Sequence, residues 1–408
     1  MKKFIKIFMA LSIIIVLLTA CNNKKTEEIK PTGGKEKKGT IKLWVDAAVI
    51  DIYKPIVKQF ENEHKGLKII VKPSETGKAQ ENVKKDPSAA ADVFMMPHDQ
   101  LGQLVEAGTI YPNTKYANNV KKNNAKNLVD SATYNGKLYG YPYGMETLIA
   151  YYNKSKLTAE EMKTWETITK NGKLGTNFSE ENANYVFVPL FMSNGDELYG
   201  KTGENIKGTN FNNEKGVQVL NWIYDQKDNK GVVQSNDDAL SRLRNGEIDA
   251  FLSGPWSKND AKKALGKNFA VTSYPTVNFG NGEVQQKAFL GVKLFCVNAS
   301  TKNPLASMAL ADYLTKKENQ LTVFEKNGIV PSNKEVLEQS NVQSDAVVHA
   351  VMTMSNEEHS VIMPKLPEMV SFWEPADALI NDTYNHKISK NQFQSKLDKL
   401  VKDTSKSK

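Results

Sequence analysis

The residue types that most often do chemistry are present in this 408-residue chain but poorly arranged for it. Its five histidines are His64, His98, His349, His359 and His386, and no two share a metal-ligand spacing such as His-Glu-x-x-His. A Gly-x-Ser-x-Gly elbow and a Gly-rich phosphate loop are both missing. With 46 acidic residues, a carboxylate pair suited to glycoside hydrolysis can always be drawn on paper, so types alone leave that chemistry open without favouring it. The aromatics say more. Trp256 follows Gly254-Pro255, and Trp373 sits in the segment from Pro364 to Pro375, a loop running into a helix. Flat rings at strand ends and loop–helix junctions, with carboxylates and amides nearby, suit a sugar, whose apolar C–H faces need a platform and whose hydroxyls need acceptors. Each ring could equally plug a loop against the core.

These residues must be positioned by elements that the hydropathy pattern predicts. Thr40 to Asp46 alternates as a strand, Tyr53 to Glu63 carries helix-spaced Ile56, Val57 and Phe60, and Leu67 to Pro73 and Asp92 to Met96 read as further strands. Strand–helix alternation predicts an α/β protein with mostly parallel sheets flanked by helices. Helices follow at Asn213 to Lys227 and Ser235 to Asn245, strands at Ala250 to Ser253 and Phe269 to Thr272. A terminal amphipathic helix at Asn391 to Lys402 turns Phe393, Leu397 and Leu400 inward. Cys296 lies in the apolar run Phe289 to Asn298 and reads as a buried strand residue. Roughly 370 foldable residues exceed one core, so two domains are expected.

The N-terminus predicts an address. Lys2, Lys3 and Lys6 precede the apolar run Ile7 to Leu18, which is shorter than the roughly 20 residues that span a bilayer. Leu18-Thr19-Ala20-Cys21 resembles a bacterial lipoprotein signal, with residues 1–20 removed and Cys21 lipidated. Residues 21–39, polar and lysine-rich, read as a disordered tether. The formal charge of +8 falls to +5 without the three signal lysines, and to +2 without the tether's six Lys and three Glu. The foldable body is nearly neutral, which argues against nucleic acid. No repeat and no later membrane-spanning helix is expected.

Four segments together resemble the extracellular solute-binding proteins of ABC sugar importers, of the maltose/maltodextrin-binding type. They are Phe94 to Gly102, Tyr134 to Asn153, Gly246 to Trp256 and Ile362 to Trp373. The Asn135-Gly-Lys-Leu-Tyr-Gly-x-Pro142 and Gly254-Pro-Trp256 elements are general to sugar binders, and Met363-Pro…Pro367-x-Met-x-x-x-Trp373 narrows the likeness to maltodextrins. The resemblance implies a periplasmic-binding-protein-like α/β fold of two lobes, 40–148 with 295–342 and 149–294 with 343–405, joined by three hinge crossovers. It implies that Asp99 and Glu146 accept sugar hydroxyls, that Gln100 offers an amide, and that Tyr185, Trp256 and Trp373 stack on successive glucose faces, with Glu374 beside them. The chain departs from that family at several positions. Met96 and Gln100 replace a tryptophan and an arginine, Ala183 an acidic residue, and Glu374 and Asp377 a tyrosine and an arginine. The first-strand loop lacks an Asp-Lys pair, for which Asp46 or Asp51 could substitute. The implied function is a receptor on the extracellular face of the cell membrane, a monomer without cofactor or metal, that hands maltodextrin to a membrane permease. Trehalose, cyclodextrin or a β-linked glycan, or a secreted glycan hydrolase, are the competing expectations.

Overall fold

The structure, a computed structural model, describes residues 38–406, so Cys21 and the tether as far as residue 37 lie outside the described residues. The principal elements run β1 (Gly39–Val45), α1 (Ile50–Glu63), β2 (Leu67–Pro73), β3 (Val93–Pro97), β4 (Tyr141–Glu146) and β5 (Ile149–Asn153). Next come β6 (Leu174–Thr176), α2 (Ala183–Phe187), α3 (Glu214–Asp225), β7 (Val232–Gln234), β8 (Ala250–Ser253), β9 (Phe269–Thr272) and β10 (Ala288–Val297). The chain ends with α4 (Ala346–Met354), β11 (Ser360–Ile362), α5 (Met369–Tyr384) and α6 (Phe393–Thr404).

Two larger sheets organise these elements. One has the order β11-β10-β3-β1-β2, with β4 also paired to β10; the other has the order β9-β5-β8-β6-β7. Where strands and helices alternate, pairing is parallel: β1 with β2 from Gly39↔Leu67 to Val45↔Pro73, β1 with β3, β6 with β7, and β6 with β8. Where the chain arrives from the other sheet the pairing is antiparallel, as for β10 with β3 and β4 and for β5 with β8 and β9. Both sheets are therefore mixed, more so than strand–helix alternation alone predicts. Only Thr147 and Leu148 separate β4 in the first sheet from β5 in the second. The return comes at β10, which pairs only with first-sheet strands along its whole length.

Burial follows periodicity. On α1, Ile52, Tyr53, Ile56, Val57 and Phe60 face the core, and Pro55 falls in the second turn without ending the helix. Each such side chain contributes about 1.5–3 kcal/mol on burial. Phe393, Leu397 and Leu400 of α6 are buried as their spacing predicts. Asn213 caps α3 by accepting from the backbone N–H groups of Lys215 and Gly216, which fixes its start. The helix expected from Ser235 begins only at Ala239, because the Ser-Asn-Asp-Asp run at 235–238 forms a turn instead. Cys296 is buried in β10, and burial pushes its thiol far up.

β3 and β4 both run antiparallel to β10 and hence parallel to each other. Their carboxyl ends share one edge of the sheet. Asp99 follows the end of β3, and Glu146 is the last residue of β4. Open α/β sheets place ligands at such ends.

Candidate functional site

The turn Pro97-His98-Asp99-Gln100 is built around His98. Its imidazole is fully buried, accepts from the Val292 N–H at Nδ1 (3.0 Å), and so carries its proton on Nε2, which donates to the Met363 carbonyl (3.0 Å). Burial first, and the Lys365 charge second, hold it down to about 3, so it stays neutral. The ring thus staples the end of β3 to β10 and to the segment after β11. The next residue is left exposed to the consequences. Asp99 Oδ1 is buried without a hydrogen-bond partner, and burial raises the carboxyl to about 6, with the Glu146 charge adding to the rise and backbone N–H donors opposing it. A polar atom so placed is a standing deficit unless a ligand or water satisfies it.

Glu146 lies opposite Gly291 of β10, where a Cβ would come within 2.9 Å of the Glu146 Cγ; glycine makes room for the carboxylate. Its Oε2 accepts from Lys293 Nζ at 2.7 Å.

The aromatic groups arrive from the other side. Tyr185 stands on α2, whose first turn is held by α5: Asp377 Oδ1 accepts from the Asn184 N–H (3.0 Å), and Asn184 Nδ2 donates to the Trp373 carbonyl (2.7 Å). Tyr185 and Trp373 both pack on Phe289, with ring centroids 6.0 and 5.7 Å from it. Burial, then the negative charges of Glu146 and Asp99, push the Tyr185 hydroxyl well above its ordinary value. Tyr185 and Trp373 therefore meet on Phe289, and the charges of Asp99 and Glu146 reach Tyr185.

The remaining predicted residues are placed differently. Trp256 lies in a single 3-10 turn after β8 and is 57% exposed; its indole covers Gly254, where a Cβ would clash at 2.1 Å. Among the described residues its ring meets no other aromatic ring. A tryptophan kept so far in water is unusual for a core residue and fits a platform. Gln100 differs from its expected role, because its Oε1 accepts from the Gln80 N–H (3.0 Å) and its Nε2 donates to the Gly77 carbonyl (2.5 Å). Its amide is spent on holding the 77–80 turn. Trp373 lies within α5, the helix into which the loop from Pro364 runs, and Glu374 is exposed beside it. Asp46 caps the short turn after β1 by accepting from Ala48 and has its charge near Tyr143, whereas Asp51 pairs outward with Lys54.

Sequence reasoning missed Lys293, Phe289 and the Asn184–Asp377 tie. Lys293 carried a signal, as the single charge in the buried strand AFLGVKLFCV. A cavity of ≈ 760 Å3 borders Phe289 and Leu290 and is lined further by Met192, Glu204, Ile362 and Lys365, but by none of the seven predicted ligand-binding side chains. Asp99, Glu146, Tyr185 and Trp373 thus stand outside that cavity. Among the described residues no cluster could hold a metal ion, and no helix is long and apolar enough to cross a membrane.

Two mixed sheets joined at Thr147-Leu148, with carboxylates at strand ends of the first and aromatics on α2 and α5, form a two-lobed α/β protein. Residues 55–350 match the family of bacterial extracellular solute-binding proteins, and the chain belongs to that family. It is 26% identical to a maltooligosaccharide ABC transporter solute-binding lipoprotein of Streptococcus pneumoniae, covering 96% of this chain and 95% of that one. It is 27% identical to the galactooligosaccharide-binding protein of Bacillus subtilis, over 100% and 99%. Among solved structures, maltodextrin-binding protein MalE1 from L. casei BL23 without ligand is similar at 43% identity and a TM-score of 0.87, covering 91% of this chain and all of that one.

Proposed function

We propose that this chain is a malto-oligosaccharide receptor: it binds the sugar between its two lobes and delivers it to the permease of an ABC importer, breaking no bond. The observation that carries the reading is the meeting of two aromatic faces, Tyr185 and Trp373, on Phe289, with Tyr185 within reach of two carboxylate charges, Glu146 and Asp99, the latter with a buried, unpartnered oxygen. Rings and acceptors in that combination match the two surfaces of a glucose unit. Trp256 extends the platform to a further ring, and Glu374 lies at its rim. Asp99 and Glu146 accept hydroxyls, while Gln100 acts indirectly by shaping the turn beside Asp99. The relatives named for maltooligosaccharide and maltodextrin support α-linked glucose, and the 43% identical neighbour is of that kind.

The lobes in this reading are 40–148 with 295–342 and 149–294 with 343–405, although β11, within 343–405, pairs in the first sheet, as does the part of β10 before 295. Since all of β10 belongs to the first sheet, the reading takes the second crossing before Ala288 and not at 294/295. Lobe closure couples to binding only as far as the sugar prefers the closed state. The protein works as a monomer tethered to the outer membrane surface through lipid on Cys21, a reading supported by the signal-like N-terminus and by relatives named as lipoproteins. The protein needs no cofactor.

A calorimetric panel tests the sugar. Maltotriose and longer maltodextrins are expected to bind, with β-linked glycans, trehalose and cyclodextrin weaker or silent and no new reducing ends after long incubation. The relative named for galactooligosaccharide makes that sugar the second arm. Binding of galacto-oligosaccharide with no response to maltotriose overturns the α-glucan assignment.

A further inference from the structure

Lys293 has no role in the sugar site as read from sequence, yet it is the residue that Glu146 touches. It sits in mid-strand between Val292 and Leu294, both buried, and is in register with Pro97 at the end of β3 and with Gly144 of β4. The β4–β10 register shifts between Lys293 and Leu294, a bulge of the kind that re-aims a side chain. The result brings Nζ to 2.7 Å from Glu146 Oε2, with the two side chains 29% and 18% exposed.

The charges around this contact are unbalanced. Glu146 faces Asp99 from the turn after β3, the Tyr185 phenol on α2 and the Tyr143 phenol on β4, and Asp46, from the turn after β1, reaches Tyr143 as well. His98 is neutral, and Lys365 is committed to Glu204 and to the carbonyls of Asp130 and Thr133. Within this group of charges, the ammonium of Lys293 meets Glu146 directly. Gln100 contributes no charge and spends its amide on Gly77 and Gln80.

We propose that Lys293 is a positioning residue of the binding site: its ammonium fixes the Glu146 carboxylate so that Glu146 and Asp99 together accept hydroxyls of one bound sugar. The proposal rests on the sugar-binding reading above. A flexible glutamate beside a like-charged aspartate would otherwise turn away or take a proton. A single short charge-assisted bond prevents both and leaves Glu146 Oε1 for the ligand.

The test compares the parent protein with Lys293→Met and Lys293→Arg in two measurements. The first follows side-chain carboxyl titrations by NMR in the absence of sugar. In Lys293→Met the Asp99–Glu146 pair is expected to titrate about one pH unit higher, and Lys293→Arg to stay close to the parent. The second is calorimetric titration with maltotriose across pH 5 to 8. Lys293→Met should bind at least about tenfold more weakly at pH 7, with its loss of affinity on acidification moved upward, and Lys293→Arg should recover most of the difference. An unchanged carboxyl titration in Lys293→Met overturns the proposal whether or not sugar binds, and so does a moved titration with unchanged maltotriose affinity. A parent that binds no malto-oligosaccharide overturns the receptor reading instead, while the NMR comparison still decides whether Lys293 governs Glu146.

Discussion

Asp99 and Trp256 show what a binding residue costs a folded protein before any ligand arrives. Asp99 is an acid raised to about 6, so between its unfolded value near 4 and about 6 the folded state holds the proton more tightly than the unfolded state. Stability therefore falls as pH rises through that window, and above it the full cost remains. Asp99→Asn removes the charge, so the sugar-free variant should be more stable than the parent at pH 7.5 by about 1–2 kcal/mol and nearly equal to it below pH 4, as followed by thermal unfolding at each pH. The same change should weaken maltotriose binding at least about tenfold, since a neutral amide replaces an anionic acceptor. A variant no more stable at pH 7.5 would show that the buried oxygen carries no deficit. Trp256 makes the opposite case: at 57% exposure its removal should scarcely move the melting temperature. Trp256→Ala should nonetheless lower affinity for maltotriose about ten- to a hundredfold and remove most of the ligand-induced change in tryptophan fluorescence.

At the scale of elements, the site depends on how α2 is held against α5. Asp377 caps α2, and Asn184 bonds the Trp373 carbonyl, so the two helices that carry Tyr185 and Trp373 move as one piece. Asp377→Ala should cost about 1 kcal/mol in urea unfolding, and calorimetry should show maltotriose affinity several-fold lower because Tyr185 loses its bearing. Unchanged affinity with lowered stability would confine the tie to folding. None of this was legible in sequence, where Asp377 registered only as the absence of an arginine. Local pattern did reveal β1 to β3, α1 and the inward face of α6, because each reports its own periodicity. The segment around Trp373 reads as a loop running into a helix, and α5 does begin at Met369, continuing through Pro375. Gln100 was read as a sugar donor because its type permits it, and only the backbone of Gly77 and Gln80, distant in sequence, claims it. Lys293 needed the β4–β10 register, a long-range pairing that no local window contains.

For the whole molecule, the two-sheet plan explains why the site is composite. The short passage at Thr147-Leu148 puts Glu146 at a crossing, where a change in lobe angle alters its distance from aromatics on the other side. In the proposed receptor, carboxylates at the ends of β3 and β4 and rings on α2 and α5 close on a sugar together, and neither half suffices alone. The crystal structure of the complex with maltotriose puts this to the most direct trial. One glucose ring should lie against Trp373 and Tyr185, with a hydroxyl within hydrogen-bond distance of Asp99 Oδ1 and another on Glu146. Maltotriose seated elsewhere, with Asp99 Oδ1 still unpartnered, would contradict the placement of the site.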